Sequence, residues 1–91
     1  MTYQFPRCRF ADTNTLAQQS RKILQEAQEV FAETLRQDGT DEEWVMEILD
    51  VLHAAETGLW IVERERGPGF VEDMKARVIR KNEVRGLYEV L

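Results

Sequence analysis

The stretch EAQEVFAETLRQDGTDEEWVMEILD, residues 26–50, reads as the end of one amphipathic helix, a tight turn and the start of a second. It holds nine acidic residues and one basic residue, Arg36. Positions three and four apart share a helix face, so Glu26-Ala27-Gln28-Glu29 projects two carboxylates side by side, and Glu47-Ile48-Leu49-Asp50 does the same. Asp38-Gly39 has the form of a helix stop, and Thr40-Asp41-Glu42-Glu43 that of a capping box with Thr40 as cap. A turn this short makes the two helices antiparallel neighbours. The two acidic pairs then face each other as a cage of four hard oxygen ligands. Like-charged pairs on a helix cost roughly 0.2–0.5 kcal/mol each, and burial raises the cost. The stretch has no lysine to offset them. A divalent cation of the Mg2+ type, held by carboxylates and substrate phosphates together, would neutralise them. The pattern points to metal-dependent phosphate chemistry.

Toward the N-terminus, nothing from about residue 14 to 37 stops a helix, and Asp12, Thr13 and Asn14 offer caps in succession. At about 100° per residue, Leu16, Ser20, Ile23, Ala27, Val30, Phe31 and Thr34 fall on one side, with Glu26, Glu29 and Glu33 as a narrower stripe at its edge. Residues 1–11 carry Tyr3, Phe5, Cys8 and Phe10 around Pro6, which reads as a short extended arm packed on the helices.

Toward the C-terminus, a second helix is predicted from Asp41 to about Glu65. Its apolar side comprises Trp44, Val45, Ile48, Val51, Leu52, Ala55, Leu59 and Val62, and Glu43, Glu47 and Asp50 border it. Gly58 inside it marks a kink, a close crossing or a tolerated loss of about 1 kcal/mol. Trp60 and Ile61 lie outside the stripe, which a second subunit would cover. Gly67-Pro68-Gly69 breaks the chain. A third helix follows over about 70–83, with Phe70, Val71, Met74, Val78 and Ile79 inward and Lys75, Arg77, Arg80, Lys81 and then Arg85 on its other faces. Gly86 closes it, and Leu87–Leu91 is a short apolar tail.

Composition narrows the function classes. Ninety-one residues make one domain with a modest core, burying roughly two-thirds of its unfolded surface. A net charge of −5 argues against a nucleic-acid partner, whose phosphates require a basic face. Cys8 is the only cysteine, so neither an intrachain disulfide nor a cysteine-based zinc site can form. The first residues lack a signal peptide's apolar core, and no run approaches the roughly 18 apolar residues of a membrane span. The expectation is a cytoplasmic protein without a membrane partner.

Lys22-x-x-Gln25-Glu26-x-x-Glu29, followed by Glu47-x-x-Asp50-Val51-Leu52, resembles the signature of the all-α nucleoside triphosphate pyrophosphohydrolases, the MazG-like superfamily. Lys81-Asn82-Glu83-x-Arg85-Gly86-x-Tyr88 is similar to the endings of its small single-domain members. The resemblance covers residues 22–88. It implies an all-α fold, an antiparallel four-helix-type core completed in a homodimer or homotetramer. It also implies Mg2+, with Mn2+ as a substitute, on Glu26, Glu29, Glu47 and Asp50, and hydrolysis of a nucleotide between its α- and β-phosphates. Those four acids would be both metal ligands and catalytic groups. Lys81, Arg85 and Lys75 would hold substrate phosphates, arginine through a bidentate fork and lysine as a point charge. Two positions depart from the pattern: Gln25 stands where the family often has another glutamate, and His53 lies three residues after Asp50 where related enzymes place a histidine at four. Outside enzymes, the same acidic rim and apolar surplus suit a helical interaction module, or a nucleotide and metal binder without catalysis.

Overall fold

The computed structural model describes residues 2–89. Among these the chain is all-helical: a 3-10 turn over Arg9–Ala11, then α1 (Leu16–Thr34), α2 (Asp41–Arg66) and α3 (Pro68–Val84), with no strand. Helix α1 is shorter at both ends than the sequence reading of about 14–37. Its cap is Thr15, not the residues before it. Thr15 Oγ1 accepts from the Gln18 amide at 3.1 Å, and Gln18 Oε1 accepts from the Thr15 amide at 2.8 Å. The earlier candidates are engaged elsewhere, because the Thr13 and Asn14 amides close the 3-10 turn onto the Phe10 carbonyl.

The other end of α1 also differs from expectation. It tightens through Leu35 to Ala32 and Arg36 to Glu33 amide–carbonyl bonds. Gly39 does not take a left-handed conformation; among the described residues only Gly67 and Gly86 have positive φ. Gly39 is constrained by space instead, since a Cβ there would stand 3.0 Å from Glu33 Oε1 and 3.3 Å from the Glu33 carbonyl. The Thr40 cap forms as read, accepting from the Glu43 amide at 3.1 Å. Three acids in the first turn of α2 and Arg64 and Arg66 in the last suit its dipole. Gly58 marks a crossing: α1 passes over it with Gln19 Cγ and Ile23 Cδ1 within 3.7 Å of where a Cβ would be.

Gly67 alone separates α2 from α3. Its φ of 89° turns the chain, and Pro68 takes the first helical position, where no amide is required. Helix α3 therefore begins two residues before the expected start at 70. It ends as read, with Gly86 at φ 72° and the Leu87 amide reaching back to the Asn82 carbonyl at 3.0 Å. Val90 and Leu91, part of the expected apolar tail, lie outside the described residues.

Helix α2 is the centre of the fold. α1, α3 and the 3-10 turn each pack on it, and α1 and α3 do not pack on each other. The N-terminal arm lies against α2 as well. Tyr3 stacks on Trp60 at 4.2 Å, Phe5 stacks on His53 at 4.8 Å, and Arg64 donates to the Ala11 carbonyl at 2.9 Å. The buried Glu56 carboxylate accepts the Gln4 and Phe5 amides at 2.8–3.0 Å. Trp60 and Ile61 are thus covered by their own chain, Ile61 completely, and the second subunit expected over them is not required there.

Other apolar surface stays bare. Among the described residues the only buried hydrophobic ones are Ala11, Ala54, Ile61 and Val71, whereas Leu24, Phe31, Leu35 and Met46 are each more than half exposed. The face that α1 turns to α2 carries Gln19 and Glu26, both buried, and its apolar stripe looks partly outward. Of the acids expected at the edge of the contact, Glu26 is buried in it and Glu33, Glu43 and Glu47 are half-buried, while Glu29 and Asp50 stay exposed. The chain exposes 7195 Å², against about 5,500 Å² for a compact monomer of this mass. Its radius of gyration of 15.4 Å likewise exceeds the roughly 12 Å of a compact 91-residue chain. The molecule is a slab, 44 × 41 × 21 Å.

Candidate metal centre and adjoining cavity

The register of α1 on α2 is set by polar ties. The buried Gln19 side chain donates to the Ala54 carbonyl at 2.8 Å, and Glu33 meets Glu43 near the turn. Between these points Glu26, Glu29 and Glu47 come together, each offering one carboxylate oxygen within 4.8 Å of the others. Glu26 is 7 % exposed, Glu47 is half-buried and Glu29 is open to solvent. Lys22, one turn before Glu26, makes a 2.7 Å ion pair with Glu26 Oε1. Glu26 Oε2 and Glu47 Oε2 are buried without a hydrogen-bond partner, which is costly for an acceptor-only carboxylate.

The charges press on one another. The Lys22 ammonium holds Glu26 below the ordinary glutamate range although burial opposes it. Contact with the Glu26 carboxylate pushes Glu29 upward, and Glu26's charge, burial and Glu47 add to this. Three carboxylates with two unsatisfied buried oxygens offer what a hard divalent cation takes. Asp50, the fourth expected ligand, is exposed and stands outside the group of three. It lies within charge range of Lys22 and faces the same cavity as Glu26.

That cavity has a volume of about 530 Å³ and is bounded by α1, α2 and the N-terminal arm. Lys22, Glu26 and Asp50 give it an ionic side. Cys8, Phe10, His53 and Ala54 give it an aromatic and apolar side, with Asn14, Gln19 and Thr57 as polar lining. Sequence reasoning missed most of these. His53, which departs from the family pattern by standing three residues after Asp50 and not four, lines this space together with Asp50, and its Nε2 is buried without a partner. Lys22 lay within the quoted motif, and its spacing of four from Glu26 was a readable sign of an ion pair.

The expected phosphate-holding cations are not at this site. Lys75 borders an apolar groove between α2 and α3, with Leu59, Val62 and Met74. Lys81 and Arg85 stand at the far end of α3, exposed, and neither lines the acidic cavity. A second acidic pair, Glu33 and Glu43, is bridged by Arg36 Nη1 at 3.3 and 3.5 Å, with Asp38 at 3.5 Å from Arg36 Nε.

Among the described residues no helix is long and apolar enough to cross a membrane. The chain matches no protein-family model, no curated protein and no solved structure.

Proposed function

We propose that this chain is a small MazG-like nucleotide pyrophosphohydrolase that hydrolyses a nucleoside triphosphate between its α- and β-phosphates. The observation that carries the reading is the convergence of Glu26, Glu29 and Glu47 with two buried, unpartnered carboxylate oxygens. With Asp50 one turn beyond Glu47, these groups would hold Mg2+ or Mn2+, directly or through water. Bound there, the ion supplies positive charge against the phosphates and makes a bound water more acidic. The chain's own part is to hold the carboxylates in place, to keep one of them ready to accept the water's proton, and to orient the triphosphate beside Lys22. The water's oxygen bonds to the α-phosphorus, the bond to the bridging oxygen breaks, and pyrophosphate leaves with that electron pair. No nucleic acid is needed, and the site of action is the cytoplasm.

The active form in this reading is an antiparallel helical bundle completed by a second copy, as a homodimer or homotetramer. The surplus of about 1,700 Å² over a compact monomer is the area a permanent subunit contact removes from one partner. Lys75, Lys81 and Arg85 would reach phosphates only within such an assembly. Light scattering should report a dimer or larger at micromolar concentration, and a stable soluble monomer would refute the assembly.

Incubation with Mg2+ and a panel of canonical and modified nucleotides tests the chemistry. The expected products are nucleoside monophosphate and pyrophosphate. Stabilisation by metal and nucleotide with no pyrophosphate from any member of the panel would make the chain a binder without catalysis.

A further inference from the structure

We infer that the cavity beside the acidic group is a nucleobase compartment whose outer wall is the protein's own N-terminal arm. The inference rests on the hydrolase reading above and specifies where its substrate's base sits.

Polarity is the first ground. Lys22, Glu26 and Asp50 line the cavity together with Phe10, Cys8 and His53. One occupant must therefore satisfy ionic chemistry and an apolar, aromatic wall within a single space of about 530 Å³. That volume falls in the range of about 300–1,000 Å³ typical of small-molecule sites. A nucleotide has this division: a polyanion suited to metal and lysine, and a flat ring suited to an aromatic side chain.

Rigidity is the second ground. An arm of this length would be mobile unless tied down, and it is tied on both sides of the wall residues. Before Cys8, the buried Glu56 carboxylate takes the Gln4 and Phe5 amides. After Phe10, Arg64 holds the Ala11 carbonyl, and Ala11 itself is fully buried. Between these anchors Phe10 remains 45 % exposed. Arg9 lies over the Phe10 ring at 5.2 Å, and a large aromatic side chain on a fastened arm, with nearly half its surface still open on the wall of a cavity, is available to stack on a planar ring. Polar lining beside it is also oriented: the Asn14 amide donates to Gln19 at 2.9 Å, and Gln19 is fixed in turn on the Ala54 carbonyl.

Cys8, the chain's only cysteine, is half-buried on this wall and reports its occupancy without reference to turnover. The full-length protein with Mn2+ is alkylated with a maleimide alone, with inorganic triphosphate, and with α,β-methylene nucleoside triphosphates of the common bases. At ten times its Kd, at least one nucleotide should slow alkylation about tenfold, and triphosphate should leave it unchanged. Phe10→Ala should lower kcat/KM for the best nucleotide by about tenfold and keep the metal-induced rise in Tm. Equal protection by triphosphate would overturn the compartment, because phosphate would then fill it. Turnover of nucleotides without protection of Cys8 would overturn it as well and leave the hydrolase reading intact. Protection by a nucleotide with no turnover of any would do the reverse.

Discussion

Two groups of carboxylates bridge α1 and α2, one at mid-helix and one beside the turn, and they are neutralised differently. Near the turn, Arg36 reaches both Glu33 and Glu43, so a single guanidinium stands between two acids, although Glu33 Oε1 and Glu43 Oε2 stay buried without a hydrogen-bond partner. At mid-helix, among the described residues, Lys22 pairs with Glu26, and neither Glu29 nor Glu47 has an ion pair. Both groups hold a carboxyl pushed above the ordinary range, Glu33 by Glu43 and Glu29 by Glu26. The mid-helix group adjoins a cavity through Glu26. The comparison teaches that acidic density does not define a site. Each group keeps two buried oxygens without a hydrogen-bond partner, and what separates them is the shared guanidinium near the turn and the adjoining cavity at mid-helix, which Glu26 lines.

Turnover should divide them most sharply. Glu47→Gln is expected to lower kcat/KM by roughly a thousandfold, since charge stabilisation by a bound metal is worth several kcal/mol. Glu43→Gln, a like change one turn earlier on the same helix, should stay within about threefold, as expected of a residue away from the chemistry. Steady-state kinetics on the best nucleotide would check both, and an equal loss in the two variants would erase the distinction.

Metal-induced stability comes next. Mn2+ at a hundred times its Kd should add about 2.7 kcal/mol, which for a domain of this size raises Tm by roughly 10–20 °C. Glu47→Gln should abolish that rise and Glu43→Gln should retain it. Asp50→Asn sharpens the comparison, because Asp50 stands outside the group of three: loss of the rise would make it a ligand in the assembled site. Thermal melts with and without Mn2+ decide the matter.

Arg36→Gln should lower Tm in the absence of metal, because it leaves the Glu33 side chain, only 9 % exposed, without its cation, and should leave the metal-induced rise unchanged. A new metal response in this variant would show that arginine is all that distinguishes the two groups.

The smallest effect is on pH dependence. Glu29 and Glu33 are raised in the folded state, so the fold binds more protons than the unfolded chain just above the ordinary glutamate range. Apo stability should therefore fall as pH rises through that window. Glu26 is lowered, so its contribution is present above the ordinary range and lost as pH falls through its depressed value. Saturating Mn2+ should remove the Glu29 part by displacing its proton, and Glu43→Gln should remove the Glu33 part. Melts across acidic pH, with and without Mn2+, would reveal the two contributions separately.

The parts of this architecture legible in the sequence are those that local chemistry dictates. Thr40 caps because its hydroxyl meets an amide three residues on, and Gly67-Pro68 breaks the chain because a positive φ precedes a ring suited to a helix start. The meeting of Glu26, Glu29 and Glu47 follows from helical spacing and a short turn. What was not legible lies between residues far apart. Glu56 binds amides more than fifty positions away, and no periodicity encodes that. The inward face of α1 was misread because its apolar stripe is wider than one neighbouring helix covers. The contact takes in its acidic flank, with Glu26 buried beside Ile23 at the Gly58 crossing, and leaves Phe31 outside. His53 was lost to reasoning about one helix, when the arm crossing over it is what makes its cavity.

Glu56 grips the arm through main-chain amides at Gln4 and Phe5 and makes no demand on their side chains. Every amino acid except proline carries that amide. The fastening is therefore indifferent to most substitutions at the positions it fastens. Arm residues whose side chains do not pack on α2, unlike Tyr3 on Trp60 and Phe5 on His53, can change, and with them the wall they present, while the backbone path stays the same. Variation in what the cavity accepts is separated from the cost of holding the wall in place, and proline at position 4 or 5 is the change that would undo both.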